Sequence, residues 1–354
     1  MYTRFQENDI VNPGPNALVT STWSDNTNNL QVAHTSSIQA VFTSPSSSGQ
    51  FFIEVLQKDS SQSDAEVQYA IAYGNRVGSG SPDFTNDTGS FGNSPSKVIY
   101  NQYRQLVFND ETQNFTFGTH TPDSIFVINI NRARYKQSLT LGSLNLHISG
   151  TTNGYNDQTI IHLTDDSVTS GQTGDSNLGP QYNIVSGSNG VLSGSFVNQV
   201  GASASYGLFY PNAGIIILNG DVFSGSLTPQ TASGEFANYA TTGINTNHQK
   251  LYKHISSSNG AGAGHFIVDT TEEISSKFYF VRARNNEYNY SNNESFKDGN
   301  NNVRFETMKL NPKVFVTTVG LYNNSNELLA IAKLSQPVAK DFTKEALIRV
   351  KLDY

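Results

Sequence analysis

The sequence predicts a mainly β protein: a multi-strand β framework with one or two short helices and an inserted Gly/Ser-rich, β-sandwich-like domain. Three observations predict it. Only 14% of the 354 residues are charged, while 17 are Tyr and 21 are Phe, a balance opposite to that of disordered chains. Short runs dense in β-branched and aromatic residues alternate with clusters of Gly, Asn, Ser and Asp, the punctuation of strands and turns. The last run alternates, with Ala346, Ile348, Val350, Leu352 and Tyr354 on one face and Arg349, Lys351 and Asp353 on the other. Leu347 breaks that pattern.

In chain order, residues 1–48 read as an extended polar arm, with Pro13-Gly14-Pro15 as a rigid corner and IQAVF (38–42) as the first strand. Residues 49–143 form the first half of the framework. There, FFIEVL (51–56) and VQYAIAY (67–73) are paired core strands, and IFVINI (125–130) is a buried strand. YNQYRQLVF (100–108) is the helix candidate, with Tyr103, Leu106 and Val107 at helical spacing. Residues 83–96 form a long polar loop. From 144 to 245 charge nearly vanishes and strands shorten to 159–163, 183–186, 191–197 and 214–218, the texture of a small inserted domain. A Ser/Gly linker then leads back to the framework's second half, 246–354. That half closes with strands 313–322, 328–334 and 346–354, Pro337 stopping the second. A weaker helix is expected at 341–346. A chain ending in a strand is expected to be tied down, with no tail following. No fixed-period repeat is evident.

Composition excludes several classes. With no Cys there is no disulfide scaffold and no thiolate metal site, which fits folding in a reducing cytoplasm. A net charge of −7 argues against nucleic acid or an anionic membrane as the main partner. The first residues lack an apolar signal core, and no run of about 18 apolar residues is present.

Chemistry-bearing motifs are sparse. Residues 74–81 (GNRVGSGS) lack the Gly spacing and Lys of a phosphate loop and read as a flexible connection. The acidic doublets Asp165-Asp166 and Glu272-Glu273 place neighbours on opposite strand faces, so neither forms the convergent pair a glycosidase needs. The near miss GASAS (201–205) lacks the last Gly of a nucleophile elbow. The seven histidines, His34, His120, His147, His162, His248, His254 and His265, show no metal-ligand spacing. His147 and His162 could meet across a hairpin. No EF-hand pattern marks a Ca²⁺ site. No cofactor is expected. Arg132 and Arg134, with Lys136, would share one face of a strand. Between residues 278 and 296, Phe278, Tyr279, Phe280, Tyr288, Tyr290 and Phe296 gather around Arg282 and Arg284. Core packing, a subunit interface and a glycan-stacking platform all fit that composition. Tyr279, Arg282, Arg284, Tyr288, Tyr290, Arg132 and Arg134 are therefore the candidate interface residues.

The run VTTVGLYNNSNELLAIAKLSQPV, closing with EALIRVKLDY, resembles the C-terminal end of tail and baseplate structural proteins from contractile-tailed bacteriophages, the large marine and cyanobacterial types in particular. The segments AEVQYAIAYGNRVGSGS, VIYNQYRQLVF to IFVININRARY, YGLFYPNAGIIILNG and FYFVRARNNEYNYSNNESF resemble the same group. The resemblance implies a non-enzymatic virion protein of the tail, a baseplate wedge component. It implies assembly in the host cytoplasm, other tail and baseplate proteins as partners, and a homo-oligomer or several copies per virion. Two alternatives stay open: a receptor- or glycan-binding tail protein, and a virion-associated glycan hydrolase or depolymerase.

Overall fold

A computed structural model describes residues 3–24, 38–42, 50–58, 62–80, 94–152, 159–193, 205–221, 223–224, 247–248, 251–252, 255, 266–291 and 293–354. The protein is mainly β. It forms two compact units: a terminal unit, Met1–Ala17 with Glu273–Tyr354, and a central unit, Leu18–Glu272. The expected boundaries at 144 and 245 do not separate units, because strands on either side of 144 pair with each other.

The strands are, in order, β1 (Ile10–Val11), β2 (Pro15–Ser21), β3 (Ile38–Phe42), β4 (Gln50–Leu56) and β5 (Val67–Asn75). Then come β6 (Ser124–Ile130), β7 (Ser138–Leu139), β8 (Asn145–Thr152), β9 (Thr159–Asp165) and β10 (Gly174–Ser176). β11 (Gly179–Ser188), β12 (Val191–Leu192), β13 (Gly207–Tyr210), β14 (Ile215–Asn219) and β15 (Phe223–Ser224) follow. The last are β16 (Phe266–Ile267), β17 (Asp269–Ala283), β18 (Val314–Tyr322), β19 (Leu328–Lys340) and β20 (Ala346–Asp353).

In the central unit a 13-stranded sheet runs β15-β8-β9-β11-β13-β14-β6-β5-β4-β3, with β10 and β12 on β11 and β16 on β8. β14 pairs antiparallel with β6, Ile216 opposite Ile128 and Leu218 opposite Phe126. This pairing welds the Gly/Ser-rich stretch to the framework. Successive residues point to opposite faces. Ile216, Leu218, Phe126 and Ile128 join Ile148, Ile161, Leu163 and Ile184 in one core, around which the sheet curls. Ile215, Ile217, Ile125 and Val127 enter a second core with the helix α1 (Pro95–Phe108). Burial on both faces explains the nearly continuous apolar runs of β6 and β14.

α1 begins at Pro95, not at Tyr100, with proline in its first turn, where no N–H is needed. It ends at Asn109, whose left-handed φ of 52° lets its N–H reach Gln105 O. Its buried stripe is Ile99, Tyr100, Tyr103 and Val107, whereas Leu106, expected with them, faces out. A Cβ on Gly74 would stand 3.0 Å from Tyr100 N, so glycine lets α1 close onto β5.

The polar arm expected over residues 1–48 is built into the fold wherever it is described. Ile10 and Val11 pair with Tyr279 and Phe278, and Trp23 is buried in the central core. Residues 25–37 and 43–49 lie outside the described residues, as do most of the 83–96 loop, the Ser/Gly linker and residues 194–197 of the expected 191–197 strand. Of the connection expected at 74–81, Gly74 and Asn75 instead end β5, and 76–80 form the turn: Asn75 Oδ1 accepts the N–H groups of Val77 and Ser79, and Gly78 and Gly80 take positive φ.

In the terminal unit β20 pairs with β17 from Ser276–Asp353 to Ala283–Ala346. β18 and β19 form a separate hairpin. Val319, Leu321, Ala330 and Ala332 of the hairpin pack with Tyr279, Val281, Ile348, Val350 and Phe5. β20 alternates as expected, and Leu347 is exposed. The strand expected to stop at Pro337 continues to Lys340. A register shift between Val316 and Thr318 lies opposite this stretch of an edge strand, where proline's missing N–H breaks no ladder bond. The helix expected at 341–346 is instead a turn closed by Asp341, whose carboxylate accepts the N–H of Thr343. The unit's helix is Glu306–Leu310.

Candidate functional site

Within the central unit the predicted cations are consumed locally. Arg132 and Arg134 lie on a 3₁₀ turn capped by Asn131, not on a strand, so the expected shared face does not form. Arg132 donates to the carbonyls of Tyr135 and Lys136 and stacks on the Tyr135 ring. Arg134 binds Ser24 and Glu66. The Ser24 hydroxyl, then Arg134, holds the Glu66 carboxyl below its ordinary range. Lys136 reaches Glu272 at 2.6 Å.

The acidic doublet at Asp165 and Asp166 organises a turn. Asp165 accepts the N–H of Gly142 at 2.9 Å and the Ser167 hydroxyl. Asp166 accepts the backbone and side-chain N–H groups of Asn183, and burial pushes its carboxyl up. His147 and His162 do meet as β8–β9 register partners, with ring centres 4.0 Å apart. His120 lies 3.2 Å from Asp221. Among the described residues, no three His, Asp or Glu side chains gather to hold a metal ion. His34, His254, His265 and residues 201–204 lie outside the described residues.

His248 stands apart. Among the described residues neither ring nitrogen has a hydrogen-bond partner, and burial pushes its imidazole down from 6.5 to about 4. The folded state therefore keeps it neutral where the unfolded chain takes up a proton. Stability is full above about pH 6.5 and falls as pH drops toward 4, by on the order of 3 kcal/mol. Urea denaturation at pH 7 and pH 4.5 should show this loss, and His248→Leu should flatten it. An unchanged pH dependence in the variant would assign the acid sensitivity elsewhere.

In the terminal unit the aromatic cluster divides by strand alternation. Tyr279 points inward, its ring 5.5 Å from Phe5. Phe278 and Phe280 share the other face, where the Arg349 guanidinium lies 5.2 Å from the Phe278 ring. Tyr290 packs edge-on against Phe296 with Lys297 over its ring. Arg282, Arg284, Tyr288 and Tyr290 are exposed. The structure thus brings Arg282 and Tyr288 to one place and leaves Tyr290 and Phe296 as a separate pair.

That place is a groove of about 550 Å³. Phe5, Val281, Val319, Leu321 and Ile348 supply its apolar surfaces, and Tyr288, Tyr322, Asn323 and Asn324 its polar ones. Arg4 and Arg282 line it, and no Asp or Glu does. Neither arginine makes an ion pair among the described residues. Tyr288 holds a positive φ of 51°, strained for a bulky side chain. Two contacts over-determine it. Its hydroxyl lies 2.6 Å from Thr3 Oγ1. Its loop is pinned by Lys340, whose fully buried ammonium donates to Asn285 O at 3.0 Å, Asn289 Oδ1 at 2.8 Å and Asp341 O at 3.1 Å.

Beside the groove, the hairpin exposes large apolar side chains. Leu329 is 68% and Ile331 63% exposed, and Tyr322 and Phe315 are also exposed. Sequence reading found Arg282 and Tyr288 but missed Phe5, Tyr322 and Lys340. A lysine at a strand end reads as solvated, and nothing in the sequence marks a buried one. No family model, no curated protein and no solved structure matches the chain.

Proposed function

We propose that this chain is a non-enzymatic structural subunit of a tailed-phage virion, a component of the tail baseplate wedge that works through protein–protein assembly. The observation that carries the reading is the terminal unit's surface. Its core is thin, while Leu329, Ile331, Tyr322 and Phe315 on one hairpin remain in water next to a groove bordered by exposed arginine and tyrosine. Exposed large apolar side chains gathered on one element mark association sites, and Tyr and Arg are the residues that dominate interface energies. The resemblance of the same C-terminal stretch to phage tail proteins supplies the setting. The partners would be other tail and baseplate proteins, with several copies of the chain in each virion.

One observation favours a second reading, a glycan-binding tail protein: Tyr288 and Tyr322 share the groove with three asparagines, Asn323, Asn324 and Asn326. Stacking rings beside amides is a chemistry sugars accept.

The test is to purify virions of the phage that encodes the chain, separate tails from heads, and quantify the chain by mass spectrometry. The expected result is a fixed copy number in the tail fraction. Absence from virions would overturn the proposal.

A further inference from the structure

The groove is bordered by a strand edge, that of β18, that still has hydrogen-bonding capacity. β18 pairs with β19 alone among the described residues. In an antiparallel pair, every second residue directs its N–H and C=O away from the partner, so β18 carries a row of groups facing no strand. Thr318, Val319, Gly320, Leu321 and Tyr322 all line the groove. Consecutive residues belong to opposite faces of a strand, so the groove runs along the edge of β18. The far wall belongs to β17. Val281, Arg282 and Ala283 of β17 line it. β20 covers one side of them; on the other side β1 pairs at Phe278 and Tyr279, and β2 also pairs with β17.

Natural proteins protect open edges with proline, charge or a covering element. β19 carries Pro337 and Lys333, but VFVTTVGLY, the whole of β18, has neither proline nor charge. The groove's charge is one-sided: two arginines and no carboxylate in a chain of net charge −7.

The geometry points to strand addition. The groove receives an extended segment of a neighbouring protein, its backbone hydrogen-bonded to the β18 edge, its apolar side chains on Phe5, Val281 and Leu321, and its carboxylates toward Arg4 and Arg282. This deepens the assembly reading and rests on it. Main-chain bonds would supply affinity, and the arginines would select an acidic strand.

The test uses the full chain and a synthetic peptide of β18's own nine-residue length, alternating valine with threonine and glutamate. A control peptide carries lysine for glutamate. Hydrogen exchange should slow across residues 314–322 with the acidic peptide and stay unchanged with the basic one. Arg4→Glu and Arg282→Glu, both at exposed positions, should each weaken binding by roughly fivefold to tenfold, and raised salt should weaken it too. No protection of β18 at millimolar peptide, or equal protection by both peptides, would overturn the proposal. So would concentration-dependent protection with no peptide added, which would make a second copy the occupant. If the chain is a tail component and β18 stays unprotected, only strand addition fails. If β18 is protected but the chain is absent from virions, only the virion reading fails.

Discussion

Lys340→Met should destabilise the terminal unit by about 3–5 kcal/mol. Each hydrogen bond to a charged group is worth about 1.5–3 kcal/mol, and the loss strands three acceptors, while removal of a buried charge offsets part of the cost. Lys340 is fully buried, and the acceptors it serves belong to Asn285, Asn289 and Asp341, of which Asn289 and Asp341 are themselves buried. The methylene stem of methionine fills much of the same space, so packing changes little and the polar loss dominates. The effect should also be local. With the pin removed, the loop holding Tyr288 at positive φ loses its constraint, and hydrogen exchange across residues 284–290 should accelerate before global unfolding. Equilibrium urea denaturation read by circular dichroism measures the first effect and exchange mass spectrometry the second. Stability within 1 kcal/mol of the parent, or so (a surface-scale effect), would mean that Lys340 is solvated and the loop held otherwise.

Trp23→Ala should cost the central unit about 3–5 kcal/mol, the range for removing a large buried aromatic side chain. Trp23 is 2% exposed. Its ring lies 4.9 Å from Phe266 and 5.8 Å from Tyr69, and its indole N–H donates to the Phe266 carbonyl at 3.0 Å. Trp23→Phe keeps a ring and loses the donor, so it should cost less. Since Trp23 is the chain's single tryptophan, its own fluorescence reports unfolding in the parent, and circular dichroism serves for the variants. A parent-like alanine variant would return this segment to the role of a free arm.

The contrast between these two residues shows what the sequence made legible. Period-two alternation in β20 reflects one wet face and one dry face, so the strand and its inward set could be read directly. The core runs IFVINI and GIIIL were recognisable as strands because both faces are buried. Their mutual pairing was not recognisable, since register between β6 and β14 depends on contacts far apart in sequence. The Gly/Ser texture of residues 144–245 therefore read as a separate domain, although its strands extend the same sheet. Trp23 was overlooked because its neighbours are polar and a lone buried ring has no period. At the candidate site, composition pointed to Arg282 and Tyr288. The groove they share also needs Phe5 and the edge of β18, which only the fold brings together.

The central claim, assembly into a phage tail, is tested most directly by locating the chain in the particle. Antibody raised against the chain and viewed with gold in the electron microscope should label the distal plate of the tail, on virions that bind no label at the head. Label confined to fibre tips would move the function to adhesion. Intact virions with no label, from a preparation in which the isolated chain is bound by the same antibody, would contradict the account.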